Sequence, residues 1–231
     1  MQSLKVLSVK KIHMWYLHAA DRTTPITATF QEVNNLYKEG LFEKFSLSNY
    51  MGWEVAQICE ICKANGWVMP SVYQGIYNSI HRSVEPELFS CLRNYGMSFY
   101  AYNPLDDDFF VGQMQKEQVV KKGSRFDLDK WQGKMYRARY WNDAYFRALD
   151  IVKPVAEKHG MTMAEVALRW MTHHSLLGKE YSDATLIDAS STKHIDQNMK
   201  DLEKSPLPEE VVKALDQAWD RVKPLTGRYW H

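Results

Sequence analysis

The chain has 231 residues, with 29 Lys and Arg against 28 Asp and Glu and a formal net charge of +1. So even a balance leaves no basic footprint, and neither nucleic acid nor an anionic membrane surface is an expected partner. With 45% hydrophobic, 25% charged and 13% aromatic residues, the composition excludes a disordered chain, and the length suits one large domain or two small ones.

The N-terminus MQSLKVLSVKK has no uninterrupted apolar stretch or small-residue cleavage site, and no segment approaches about 18 consecutive apolar residues. The expectation is a cytoplasmic, non-secreted protein. Three cysteines, Cys59, Cys62 and Cys91, form no even disulfide set. Cys59 and Cys62 make a C-x-x-C, but they fall in the run Trp53, Val55, Ile58, Cys59, Cys62, whose mostly three-to-four spacing places both cysteines on the buried face of a helix. Structural thiols are the expected reading, with a redox pair the alternative; no second Cys/His pair lies nearby to complete a metal site.

Short apolar runs alternate with helical patterns. Ile12 to Leu17 reads as a strand ending in His18-Ala19-Ala20-Asp21, and Thr24-Pro25 opens a helix that stops at Gly40. Lys44 to Leu47 is a second strand, followed by Ser48-Asn49-Tyr50 and a helix ended by Asn65-Gly66. The third strand is expected over Val68 to Tyr73, with Gln74-Gly75 after it and a helix from about Glu85 to Asn94. Met97 to Tyr102 is the fourth, leading into Asn103-Pro104-Leu105 and a polar excursion to about Gly133. Helices over Asn142–His159 and Met163–His174 precede a fifth strand, Ala184 to Ala189. A helix from Thr192 to Glu203 follows, and Pro206-Leu207-Pro208 opens the last one. Strands separated by helices predict a parallel α/β sheet, and in such sheets ligands bind at the carboxyl ends of the strands. Those ends are polar here, which places the expected site.

The segments YLHAAD (16–21), LSNY (47–50), WEVAQICEICKANGW (53–67), VYQGIYN (72–78), FYAYNPL (99–105), YRARYW (136–141), ALRWMTHHS (167–175) and QAWDRVKPLTGRYW (217–230) resemble, in order, the aldo-keto reductase superfamily, and most closely its aflatoxin aldehyde reductase-like branch. The resemblance implies a (β/α)8 TIM barrel that binds NADP(H) at its strand ends and reduces aldehydes and ketones. It aligns YLHAAD with the end of the family's fourth strand and Ser3-Leu4-Lys5 with the helix before it. The expected fold is therefore an incomplete barrel of the aldo-keto reductase type over residues 1–231, with about five parallel strands plus extra C-terminal helices. Strands one to three, which carry the family's catalytic Asp, Tyr and Lys, are without counterparts.

Of the family's tetrad the resemblance leaves His18, whose role there is to orient and polarise the substrate carbonyl. Asp21 is either its partner or a cap for the following helix. The resemblance matches Ser48, Asn49 and Gln74 to positions that hold a nicotinamide carboxamide, Tyr102 (also a catalytic candidate) with Asn103 to the ring-stacking segment, and Ser190, Ser191, Gln197 and Asn198 to phosphate and adenine contacts. Asp106-Asp107-Asp108 stand where the family has a glycine-containing stretch; facing a pyrophosphate, even one like-charge pair at ~4 Å costs on the order of 1–4 kcal/mol, and a solvated loop turned away is the alternative. His194 falls about where many relatives carry an arginine for the 2′-phosphate. Trp15, Tyr50, Tyr77, Arg125, Arg137, Arg139, Trp141 and Trp230 are the substrate-pocket candidates, with Trp131, Tyr136, Tyr140 and Tyr229 in the same aromatic group.

An opened barrel exposes strand edges, so a homodimer through the Ile12–Leu17 edge is expected. The leading functional expectation is a small-molecule enzyme in which carbonyl reduction has been lost and His18 serves non-redox acid–base chemistry: dehydration, isomerisation or cyclisation of an aromatic or polyketide-like carbonyl compound. The alternatives are an NADP(H)-dependent aldehyde or ketone reductase and a non-catalytic binding pseudoenzyme. No metal is expected.

Overall fold

The computed structural model describes residues 2–105, 127–130, 133–134, 137, 140–189 and 191–231. Five parallel strands, β1 (Ile12–Leu17), β2 (Phe42–Ser48), β3 (Val72–Ile76), β4 (Ser98–Tyr102) and β5 (Ala184–Thr185), lie side by side in chain order. This is the expected incomplete α/β barrel arc. Eight α-helices belong to the described residues: α1 (Gln2–Leu7), α2 (Ile26–Lys38), α3 (Gly52–Asn65), α4 (Leu88–Asn94), α5 (Asp143–Lys158), α6 (Met163–His173), α7 (Thr192–Leu202) and α8 (Glu209–Val222).

Local chemistry explains the helix ends. Glu54 returns its carboxylate to the Met51 N–H (2.7 Å) at the start of α3, closing one of the groups a helix terminus leaves unpaired. Gly66 ends it in the left-handed region (φ +63°), which lets the Trp67 N–H reach the Cys62 carbonyl at 2.8 Å. Asn142 accepts the Ala144 and Tyr145 N–H groups ahead of α5, and Thr162 accepts that of Glu165 ahead of α6.

Strand alternation sorts the core. Phe45, Leu47, Tyr73, Phe99 and Ala101 turn to the helix layer and are fully buried; Phe30 of α2 meets Phe45, and Phe89 of α4 meets Phe99 with rings 4.9 Å apart. The opposite face carries Tyr16, Ser46, Ser48, Gln74, Tyr100 and Tyr102, in the register Tyr16↔Ser46, Ser48↔Gln74 and Gln74↔Tyr100.

Two expectations about elements need correction. β3 begins at Val72, four residues later than expected, because Pro70 offers no N–H and Val68 gives its own to Asn34 Oδ1 (3.1 Å); Gln74 and Gly75 therefore lie inside the strand. β5 has two residues instead of six, although the Leu186 N–H still bonds the Ala101 carbonyl at 2.8 Å. Cys59 and Cys62 lie on the buried face of α3 as expected, with Val55 and Ile58, while Trp53 is 60% exposed. Burial raises the two thiols, to about 12 for Cys59 and about 11 for Cys62, which opposes thiolate chemistry.

Candidate functional site at the strand ends

β2 ends in Ser48 and Asn49, both buried, with Asn49 in the left-handed region (φ +64°). Asparagine tolerates that region because its short amide bonds locally. Here Nδ2 donates to the His18 carbonyl at 2.8 Å and to Ser48 Oγ at 3.1 Å. Asn49 thereby ties the end of β2 to the end of β1 and holds the backbone of His18. β4 repeats the device. Asn103 follows it at φ +65°, its carbonyl accepts from Asn78 Nδ2 (3.0 Å), and its own Nδ2 donates to the Tyr140 hydroxyl (3.2 Å).

Beneath these turns, on the face away from the helices, the Tyr16 hydroxyl lies beside Gln74 and Ser46, with Tyr100 close by. Burial is the main cause that raises the Tyr16 pKa, the Gln74 and Ser46 side chains oppose it, and Tyr100 adds to it. Sequence reasoning missed Tyr16 and Tyr100. The signal was present in the strand period: each stands two residues before a singled-out strand end, His18 and Tyr102, and so shares its face.

The structure brings His18, Ser48, Asn49, Gln74 and Tyr102 to this end of the sheet, with His18 exposed and Gln74 and Tyr102 half-buried. Asp21 does not reach His18. Its carboxylate accepts the Thr23 N–H and the Thr23 and Thr24 hydroxyls at 2.6 to 2.9 Å, which lower its pKa to about 2. Ser191 uses its hydroxyl to cap α7 at the His194 N–H (3.3 Å), Gln197 donates to Asp201 (3.0 Å), and Asn198 is buried beside them. Ser190, Arg125, Arg139, Trp131, Tyr136 and Asp106–Asp108 lie outside the described residues. The Arg137 guanidinium sits 4.6 Å over the Trp141 ring, and Trp230 is flanked by Arg22 and Arg228.

Two substrate-pocket candidates belong elsewhere. Tyr77 is fully buried, donates to Glu85 Oε1 (2.7 Å), accepts the Leu176 N–H (3.0 Å) and packs edge-on to Phe99 and Trp170; it is core. Trp15 stacks on Phe42 at 5.3 Å against the hydrophobic core, because a shift of one residue along a strand changes the face. Tyr50, also buried, lines a cleft of about 500 Å³ between the starts of α2 and α3, with Asp21, Arg22, Phe30, Trp53 and Glu54. Burial, then Glu54, pushes the Tyr50 phenol up to about 12.

The comparisons with known proteins agree with this geometry. The model of the Aldo/keto reductase family matches residues 1–220. An aldo-keto reductase of Pseudocercospora fijiensis (strain CIRAD86) is 46% identical over 230 residues, 99% of this chain and 77% of that one. The aldo-keto reductase pigE of Monascus ruber is 45% identical over 99% of this chain and 68% of its own length. Aflatoxin B1 aldehyde reductase member 2 of Mus musculus is 42% identical over 99% and 64%. With a family match over residues 1–220, relatives 42–46% identical over 99% of its length and a five-stranded parallel sheet, the chain belongs to the aldo/keto reductase family.

Proposed function

We propose that the strand ends of β1 to β4 hold a nicotinamide dinucleotide, NADP(H), and a carbonyl compound, and that the chain serves aldehyde or ketone reduction. The observation that carries this reading is the assembled set of Ser48, Asn49 and Gln74. Their donor chemistry fits a carboxamide, which needs both donors and acceptors. With Asn49 Nδ2 committed to His18 and Ser48, its Oδ1 is the atom left to accept a ligand N–H; the Ser48 hydroxyl and the Gln74 amide supply donors. Tyr102 offers a ring at the same end. The reductase names of relatives 42–46% identical support the same reading.

A bound reduced nicotinamide supplies a hydride. The chain's own part is to orient the substrate: His18, whose backbone Asn49 holds, presents an imidazole at the exposed strand end, where it can donate a hydrogen bond or a proton to a carbonyl oxygen.

A second reading, the proton chemistry without hydride transfer that led the sequence-based expectations, is favoured by the pair His18 and Tyr16 on one sheet face. It needs an acid or base and no nicotinamide. Titration of NADPH against the chain's tryptophan fluorescence separates the two. Saturable quenching at micromolar NADPH is expected from the first; its absence would leave the second.

A further inference from the structure

The cleft between the starts of α2 and α3 takes no part in the carbonyl site. It encloses about 500 Å³, within the range of small-molecule pockets, and none of His18, Ser48, Asn49, Gln74 and Tyr102 lines it. We propose that this cleft is a second ligand site, built for an uncharged ring compound with a hydroxyl or carbonyl oxygen: the oxygen accepts a hydrogen bond from the Tyr50 hydroxyl while the ring lies against Trp53.

Tyr50 carries the argument. The residue is 4% exposed and its carbonyl accepts from the Tyr73 hydroxyl at 2.7 Å, yet among the described residues its own hydroxyl has no hydrogen-bond partner. Buried polar groups are nearly always paired, so an unpaired phenol on the wall of a cleft points to a partner from outside, one that takes over from solvent. The charged groups that bear on this phenol, Glu54, Arg22 and Asp21, all line the cleft as well, which sets its oxygen at that wall. Because the phenol keeps its proton at neutral pH, it offers a donor.

The neighbouring charges select the ligand. Arg22 commits Nε and Nη2 to Glu54 (2.8 and 3.0 Å) and Nη1 to the His231 carbonyl (3.1 Å). Glu54 also holds the Met51 N–H, and Asp21 holds Thr23 and Thr24. An anion would meet two carboxylates against one guanidinium that is already paired. A cation would meet carboxylates that are equally committed, beside two helix starts whose dipoles present their positive ends. The lining groups with hydrogen-bonding capacity left over are neutral: the Tyr50 hydroxyl and that of half-buried Thr29, likewise without a partner among the described residues. Trp53, 60% exposed, supplies a ring for stacking, and Ile26 and Phe30 complete an apolar wall.

The test follows amide shifts of the ¹⁵N-labelled chain during titration with three probes that share one ring system: naphthalenemethanol, naphthoate and protonated naphthylmethylamine. The alcohol is expected to move the amides of Asp21, Thr29, Trp53 and Gln57 saturably, and each charged probe to bind there at least ~3-fold more weakly. Tyr50→Phe, whose lost hydroxyl leaves no protein group stranded, should weaken the alcohol roughly 3- to 10-fold, the range of one net hydrogen bond. Trp53→Ala, at an exposed position, should weaken it at least as far through the lost stacking. Shifts confined to Gln74 and Tyr102, no shifts at all, unaltered affinity in either variant, or equal or tighter binding of a charged probe would each overturn the proposal. None of these readouts depends on a nicotinamide, so the site stands or falls apart from the reductase reading.

Discussion

The Tyr229 hydroxyl accepts the Gly52 N–H at 2.9 Å and donates to the Glu87 carboxylate, so a residue near the C-terminus completes the first turn of α3. Burial, then the Glu87 hydrogen bond, raises the Tyr229 pKa and keeps the phenol protonated. Tyr229→Phe leaves the buried Gly52 N–H without its partner, at a cost of about 1–3 kcal/mol. Urea unfolding should show a lowered midpoint with an unchanged slope. An unshifted midpoint would mean that water replaces the hydroxyl.

Asp183 joins β4 to the segment before β5. Its buried carboxylate accepts the Phe99 N–H (2.7 Å), the Gly178 N–H (2.9 Å) and both Arg93 Nη atoms (3.0 and 2.5 Å). Asp183→Ala strands a guanidinium that also lies over the Phe89 and Tyr181 rings. A loss of about 3–5 kcal/mol is expected by chemical denaturation, with Asp183→Asn, which still accepts from the backbone, less damaging.

His174 sets a pH dependence. Its Nε2 accepts the Leu207 N–H at 3.0 Å, which requires the neutral ring, and burial, then His173 and Arg169, lowers its pKa from the ordinary 6.5. The unfolded chain therefore takes up the proton first. The stability held by the neutral ring is present above about pH 6.5 and is lost as pH falls through the lower folded value. Unfolding midpoints measured between pH 8 and 5.5 should fall on the acid side, and His174→Gln should flatten that part of the curve.

His18→Ala is expected to reduce turnover of a carbonyl substrate by roughly 10²- to 10⁴-fold, the range for a positioned acid or base. The unfolding midpoint should stay put, because the ring is exposed and the Asn49 bond reaches only its carbonyl. Wild-type turnover in the variant would remove His18 from the chemistry.

The edge of β1 leads to a proposal about assembly. Among the described residues β1 pairs only with β2, and Val6, Leu7 and Val9 ahead of it are 75%, 59% and 43% exposed. A second copy meeting β1 about a twofold axis would pair the open strand edge and cover this patch. Sedimentation equilibrium at micromolar concentration should give twice the chain mass, and Leu7→Lys or Val9→Lys should return the monomer. A monomeric unaltered chain would end the proposal.

Much of this was legible in the sequence because strand and helix periods differ. The runs beginning at Ile12, Lys44 and Met97 mark strands that the structure keeps nearly in place. Val68-Met69-Pro70 reads equally well as a strand start, and only the Asn34 side chain, distant in sequence, takes the Val68 N–H away from the sheet. Tyr77 could not be placed from the sequence. An aromatic residue beside an expected site has no local signal for exposure, and contacts with Glu85, Leu176 and Trp170 decide that Tyr77 is core. The strand-end set came from motif order, whereas Tyr16 depends on which side of β1 a residue faces.

The Asn49 bond to the His18 carbonyl crosses the seam between the edge strand and its inner neighbour. A ligand that engages Asn49 would stiffen that seam, so occupancy should slow amide hydrogen exchange along Ile12 to Leu17 although no ligand atom touches those residues. An edge strand would then report, through its own opening rate, whether the site beside it is filled.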